Sequence, residues 1–275
     1  MNVGIIIRHS GGEEMRQTFA DLVAQGFRHG QLVSWDPKYW TDENAEEVKG
    51  LVKEFGVEIT AFWCGWEGPK FWNFTEGPEA LGIVPVAFRA QRIQNLLDGA
   101  AYARKIGVAD VVTHMGFIPE NMTDPAWPGV VAAVKAIAMN LKRNGQNLLF
   151  ETGQETPVVL LRLFECVGTG NLFINLDPAN LILYGKGNPV DSLDVFGNLV
   201  RGVHAKDGFY PTNGLELGHE VKVGEGKVNF PVFLRRLKET GFDGSLTIER
   251  EIEGEQQIKD ILETQKYLED LISQL

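Results

Sequence analysis

Short apolar runs alternate with helical patterns along the whole chain. The runs are Val3–Ile7, Gln31–Trp35, Glu58–Phe62, Asp110–His114, Asn147–Glu151, Leu172–Asp177, Gly202–Lys206 and Ser245–Glu249. Between them, apolar residues recur at helical spacing. Met15, Phe19, Leu22 and Val23 share one face, as do Val48, Leu51, Val52 and Phe55. Val130, Val134, Ile137 and Leu141 repeat the pattern, and Ile258, Ile261, Leu262 and Leu268 close it. Such alternation predicts parallel strands joined by crossover helices. Gly26, Gly56, Gly107, Gly145 and Gly241 each follow a helical pattern and precede a strand, where a left-handed cap is expected.

Eight such units in 275 residues predict a single (β/α)8 TIM-barrel domain spanning residues 1–275, since one barrel takes about 250 residues. The rival is a doubly wound open sheet, which carries a glycine-rich phosphate turn after its first strand. Here Ile7 runs into Arg8-His9-Ser10-Gly11-Gly12, without that fingerprint. Two connections are longer than the rest. Trp63 to Pro85 carries Trp63, Trp66, Phe71, Trp72 and Phe74, and Gly208 to Asn229 contains Val223-Gly224-Glu225-Gly226-Lys227. Both follow strands and so overhang the face where barrel active sites lie. The first is either an aromatic wall over a sugar ring or a loop packed on the barrel rim.

Composition narrows the class of partner. With 44% hydrophobic residues the chain has ample core material. The net charge of −11 and the lack of a Lys/Arg run argue against nucleic acid. No apolar run is long enough to span a membrane. Met1–His9 lacks the pattern of a secretory signal, and Cys64 and Cys166 cannot form a disulfide framework. A cytoplasmic location is expected, and a homo-oligomer is left open.

The candidate chemistry lies at strand ends. The fifth run ends in Glu151, the sixth in Asp177 and the eighth in Glu249, and the seventh contains His204. In a parallel barrel these ends converge on one mouth. Three carboxylates and an imidazole brought together repel strongly unless a cation sits among them. The mixed donors suit one divalent ion: Mn, Mg, Co or Zn. Taken singly, each has an ordinary reading. Asp177 before Pro178 fits a helix N-cap, for example. Four on consecutive strand units at the same end favour a shared site. His114 closes the fourth strand, beside it. Lys206, two residues past His204, points the same way and either steadies an anionic intermediate or pairs with Glu249. Arg8 and His219 are weaker candidates.

At these residues the sequence resembles the xylose-isomerase-like barrel superfamily of sugar isomerases and epimerases, most nearly its ketose 3-epimerase and hydroxypyruvate isomerase groups. The resemblance rests on Phe150-Glu151-Thr152, Leu176-Asp177-Pro178-Ala179-Asn180, His204-Ala205-Lys206-Asp207, Gly224–Phe230 and Ile248-Glu249-Arg250-Glu251. The helical stretch Phe88–Gly107 belongs to the same pattern, so the likeness covers essentially the whole chain. It implies that Glu151, Asp177, His204 and Glu249 bind the metal, and that Glu151 and Glu249 also move the proton. The implied reaction takes a proton from carbon next to a carbonyl, giving an enediolate, and returns it from the opposite carboxylate.

Two positions depart from the epimerase pattern. Asn180 stands where those proteins have His, and Tyr210 where they have Arg, so substrate contacts there do not carry over. Asn180 is read either as a hydroxyl-binding group or as an ordinary first-turn residue. A trinuclear zinc endonuclease of the same superfamily is discounted, because Asn180 replaces one expected ligand, no Asp-x-His follows His204, and only His9, His29, His114, His204 and His219 are available. Three functions follow. The first is a sugar or keto-sugar isomerase or epimerase, with His114, Asn180, Lys206 and Trp63 contacting substrate. The second is a lyase on the same metal site, dehydrating a keto-polyol or eliminating from a 3-keto-glycoside. The third is a non-catalytic sugar-binding barrel, against which the paired Glu151 and Glu249 argue.

Overall fold

The computed structural model describes residues 1–275 and contains a closed barrel of eight parallel strands. These are β1 (Asn2–Arg8), β2 (His29–Ser34), β3 (Glu58–Cys64), β4 (Asp110–Thr113), β5 (Asn147–Glu151), β6 (Leu172–Leu176), β7 (Val200–Ala205) and β10 (Ser245–Ile248). Around the barrel they run β1-β10-β7-β6-β5-β4-β3-β2. Each predicted run falls on a strand, so the (β/α)8 expectation is met. The order follows the chain because each crossover helix returns the chain to the next place in the barrel.

Local sequence sets the joints. Thr41 and Thr156 accept backbone N–H groups at the starts of the helices Asp42–Phe55 and Pro157–Val167. Gly56 ends the first of these at φ 62°, a left-handed conformation that costs glycine little. Alternation along the strands then separates two apolar layers. Ile7, Leu32, Phe62, Val111, Leu148 and Ile174 face the helices in the larger core. Ala61, Trp63, Val112 and Leu149 pack inside the barrel with Trp66 and Leu81.

Two elements differ from the expectation. The long connection after β7 holds a short antiparallel hairpin, β8 (Asp207–Phe209) with β9 (His219–Val221). The final helix, Glu255–Ser273, turns a different stripe inward. Asp260, Thr264 and Leu268 are buried, Ile261 is half-buried, and Ile258 and Leu262 are 48% and 40% exposed. The inward stripe includes a polar anchor: Asp260 accepts from Arg250 at 2.8 Å, which fixes the helix rotation better than apolar burial alone. No helix is long and apolar enough to cross a membrane.

Candidate metal site and the cavity above it

Strand register brings the four strand-end residues together. Glu151 ends β5 opposite Asn175 of β6, and two residues on, past the end of β6, comes Asp177. His204 of β7 sits opposite Thr247 of β10, and Glu249 lies just past that strand's end. One donor atom from each of the four lies within 4.8 Å of the others. His204 Nδ1 is 3.1 Å from Glu151 Oε1 and 3.2 Å from Glu249 Oε2. Asp177 divides its carboxylate between two tasks. Oδ1 accepts the Asn180 N–H at 2.8 Å and caps the helix Pro178–Leu183, as its place before proline suggested. Oδ2 makes no hydrogen bond, although the side chain is fully buried.

Burial and the mutual charges of the group set its protonation. Burial works against charge on His204, but the facing Glu151 and Glu249 carboxylates outweigh it and hold the imidazole pKa well above the usual histidine value. Burial opposes ionisation of Glu151, yet His114 and His204 keep its carboxyl well below the usual range. Burial also opposes charge on Glu249, where Lys206 and His204 prevail and bring the pKa to about 2. Asp177 goes the other way. Burial, helped by Glu249 and Glu151 and only partly offset by Lys206, pushes its pKa up to about 8. An orphaned buried carboxylate oxygen beside two ionised carboxylates and an imidazole is a donor set that fits a divalent cation.

The other sequence-derived candidates surround this group. The Trp63 indole N–H donates to Glu151 Oε2. His114 Nε2 and Asn180 Nδ2 each lie 3.4 Å from Glu151 Oε1. The Lys206 ammonium, 2% exposed, meets Glu251 at 2.8 Å, Glu249 at 3.4 Å and Asp177 at 3.7 Å. All four line a cavity of about 540 Å³ that also meets Glu151 and Glu249. Arg8 and His219 do not line it. Arg8 is an exposed end of β1, and His219 stacks on Phe209 in the hairpin. Tyr210 is 39% exposed and also lies outside the cavity.

The aromatic segment divides between the cavity wall and the apolar layer of the barrel. Trp63 and Trp72 line the cavity with Trp35 from the end of β2, whereas Trp66 is buried in the apolar layer within the barrel. The segment is tied down by Arg92, whose guanidinium donates to the carbonyls of Glu67, Pro69, Ala80 and Gly82. The second long connection is organised by Asp207. Its buried carboxylate accepts the N–H groups of Gly208, Gly224, Gly226 and Val228 at 2.9–3.1 Å.

Several residues that matter were not singled out in the sequence. Gln31 Oε1 lies 2.9 Å from His204 Nε2, and Gln31 Nε2 donates to Asn175 Oδ1 at 2.8 Å. Gly202 makes room for this pair, since a Cβ there would stand 2.4 Å from Asn175 Oδ1. After Glu151, Gln154 and Glu155 are buried with no side-chain hydrogen bonds. The available signal was a polar residue within an apolar strand, as at Gln31 and Asn175.

The chain is thus a closed parallel barrel with a buried carboxylate–imidazole group, whose donor atoms could hold a metal ion, at the carboxyl ends of its strands. Residues 19–271 match the family model described as xylose isomerase-like TIM barrel, and the chain belongs to that family. It is similar to a xylose isomerase domain protein from Planctomyces limnophilus, at 30% identity and a TM-score of 0.90, covering 98% of this chain and 96% of that one. An uncharacterised protein of Methanocaldococcus jannaschii is 29% identical over 274 residues, 94% of this chain and 85% of that protein. The fold is shared with a D-tagatose 3-epimerase-like protein at 20% identity and a TM-score of 0.77, covering 99% and 97% of the two chains.

Proposed function

We propose that this barrel is a metal-dependent enzyme that isomerises or epimerises a sugar or keto-sugar by moving a proton at carbon next to a carbonyl. One observation carries the reading. Glu151 and Glu249 both reach His204 Nδ1, from strands that have β6 and β7 between them, so they approach the site from two sides. A binding module has no use for paired bases, whereas inversion at carbon requires one group to take the proton and another to return it. Glu151, Asp177, His204 and Glu249 would hold one divalent ion, Mn, Mg, Co or Zn. Such an ion, when bound, supplies positive charge to the carbonyl and the neighbouring hydroxyl oxygen, without which the carbon acid is too weak for a carboxylate. Trp63 fixes Glu151 through Oε2, leaving Oε1 toward the site. Trp63, His114, Asn180 and Lys206 would contact the substrate from the cavity wall. The likeness to an epimerase-like barrel supports this chemistry.

Elimination from the same site is the second reading, favoured by Lys206. A buried ammonium 3.4 Å from Glu249 stands where it could protonate a departing hydroxyl or alkoxide after the same proton abstraction. The test begins with metal analysis of the purified protein. Ketoses and keto-glycosides are then incubated with the metal-loaded enzyme in D2O. Isomerisation or epimerisation gives a product of unchanged composition carrying solvent deuterium at the reacting carbon. Loss of water or aglycone establishes the lyase instead. Absence of both exchange and product across the panel rejects the enzymatic reading.

A further inference from the structure

Three glutamines are buried in this fold, and two of them are bonded. Gln31 uses both ends of its amide, on His204 and Asn175. Gln146 donates to the carbonyls of Ala100 and Val108. Gln154 is 1% exposed, yet neither its Nε2 nor its Oε1 has a partner within the protein. The Tyr184 hydroxyl is near enough to feel it but lies outside hydrogen-bonding geometry. Native structures rarely leave both ends of a buried amide unmet, because desolvation of the group is then uncompensated.

Its position gives the reason. Gln154 lies three residues beyond Glu151 and lines the cavity above the metal-site residues. At Gly153 this turn lies against the next strand's helix. A Cβ there would stand 3.4 Å from Asn180 and 3.6 Å from the Tyr184 ring. An amide presents one accepting oxygen beside two N–H donors. It therefore matches a pair of neighbouring hydroxyls, one donating and one accepting. A carboxylate or phosphate could use only the N–H end and would leave the amide oxygen unmet. Of the two ammonium groups that line this cavity, Lys206 is already held by Glu251 and Glu249, while Lys70 is exposed and sits over the Trp35 ring. The remaining wall is largely aromatic, with Trp35, Trp63, Trp72 and Tyr184.

We propose that Gln154 is a substrate-binding, specificity-determining residue whose amide reads a vicinal diol, so that the cavity selects a neutral polyhydroxylated compound over a phosphorylated or carboxylated one. This rests on the sugar reading given above and adds the class of sugar.

The experiment compares wild type with Gln154→Met, which keeps chain length and removes the hydrogen-bonding ends. Thermal melting is measured on the protein without sugar. Binding is then followed by tryptophan fluorescence on manganese-loaded protein, with D-fructose, D-psicose, D-sorbose and D-tagatose as neutral probes and D-fructose 6-phosphate as the anionic one. The expected result is a melting temperature equal to or above wild type, unchanged manganese content, and at least tenfold weaker binding of the best neutral probe. A clearly lower melting temperature would show that the amide serves the fold and overturns the proposal. Equal binding by the variant overturns it too, while leaving the metal-site reading intact. Tighter binding of the phosphorylated probe by wild type overturns the substrate class. Failure of every probe to bind wild type overturns the sugar reading on which the proposal stands.

Discussion

Gln31 Oε1 lies 2.9 Å from His204 Nε2, joining residues 173 apart in the chain. Because Gln31 Nε2 donates to Asn175, the amide turns its oxygen toward the ring and His204 Nε2 carries the donated proton. The imidazole is thereby fixed with Nδ1 facing Glu151 and Glu249. A ligand that must offer one nitrogen in one direction gains affinity from such a partner behind it.

Gln31→Leu should therefore leave the barrel folded and weaken metal binding by about 10–100-fold. Competition titration against a chelator measures this directly, with far-ultraviolet circular dichroism as the control. Wild-type affinity in the variant would mean that the ring needs no support from Gln31.

The two carboxylates proposed as bases give a sharper test. Glu151→Gln and Glu249→Gln each keep shape and one ligand oxygen while removing the proton acceptor. Each should lower kcat by at least about a hundredfold. Metal content measured beside activity separates lost chemistry from lost metal. A variant that retains both its metal and wild-type turnover would rule out that residue as a base.

Metal affinity should also depend on pH, with a defined sign. The Asp177 carboxyl titrates near 8, raised mainly by burial, and His204 holds its proton above the usual histidine range because Glu151 and Glu249 face it. Both protons must leave before these groups can accept a cation. Below pH 8 the ion competes with them, so affinity should rise as pH rises from 6 to 8, by about tenfold per unit for each proton displaced. Isothermal titration in buffers of different ionisation enthalpy counts those protons. A flat profile would show that neither group is protonated in the metal-free site.

The sequence revealed the barrel and its four strand-end residues for a local reason. A strand's alternation and the polar residue that ends it, as at Glu151 or Glu249, lie within a few positions of each other. Gln31, Asn175 and Gly202 stand in the same strands, but their meaning arises only when the barrel closes and brings β2 across to β6 and β7. Gln154 was hidden similarly, since an unmet amide is a property of its surroundings. The hairpin β8–β9 escaped notice because its strands are too short to show alternation, and Asp207 rather than apolar burial shapes the connection. Ile258 and Leu262 were misplaced because helical spacing identifies a stripe without saying which edge of it faces inward.

Arg92 carries the last prediction. It sits on the helix Val86–Lys105 with no exposed surface, and burial lowers its pKa only to about 10, so it stays charged at neutral pH. Its fork meets the Ala80 and Gly82 carbonyls at 2.8 and 2.6 Å, Pro69 at 2.9 Å and Glu67 at 3.2 Å, and its plane lies over Phe88 and Trp66. One side chain thus holds both ends of the segment that carries Trp72 to the cavity. Arg92→Met preserves most of the buried volume and strips four carbonyls of their donor, which should cost about 2–4 kcal/mol of stability. Arg92→Lys keeps the charge but not the planar fork, so it should restore only part of that loss. The loosened segment should become cleavable by trypsin at Lys70 while the barrel keeps its circular dichroism. Equal protection of Lys70 in wild type and Arg92→Met would show that the aromatic packing alone holds the wall in place.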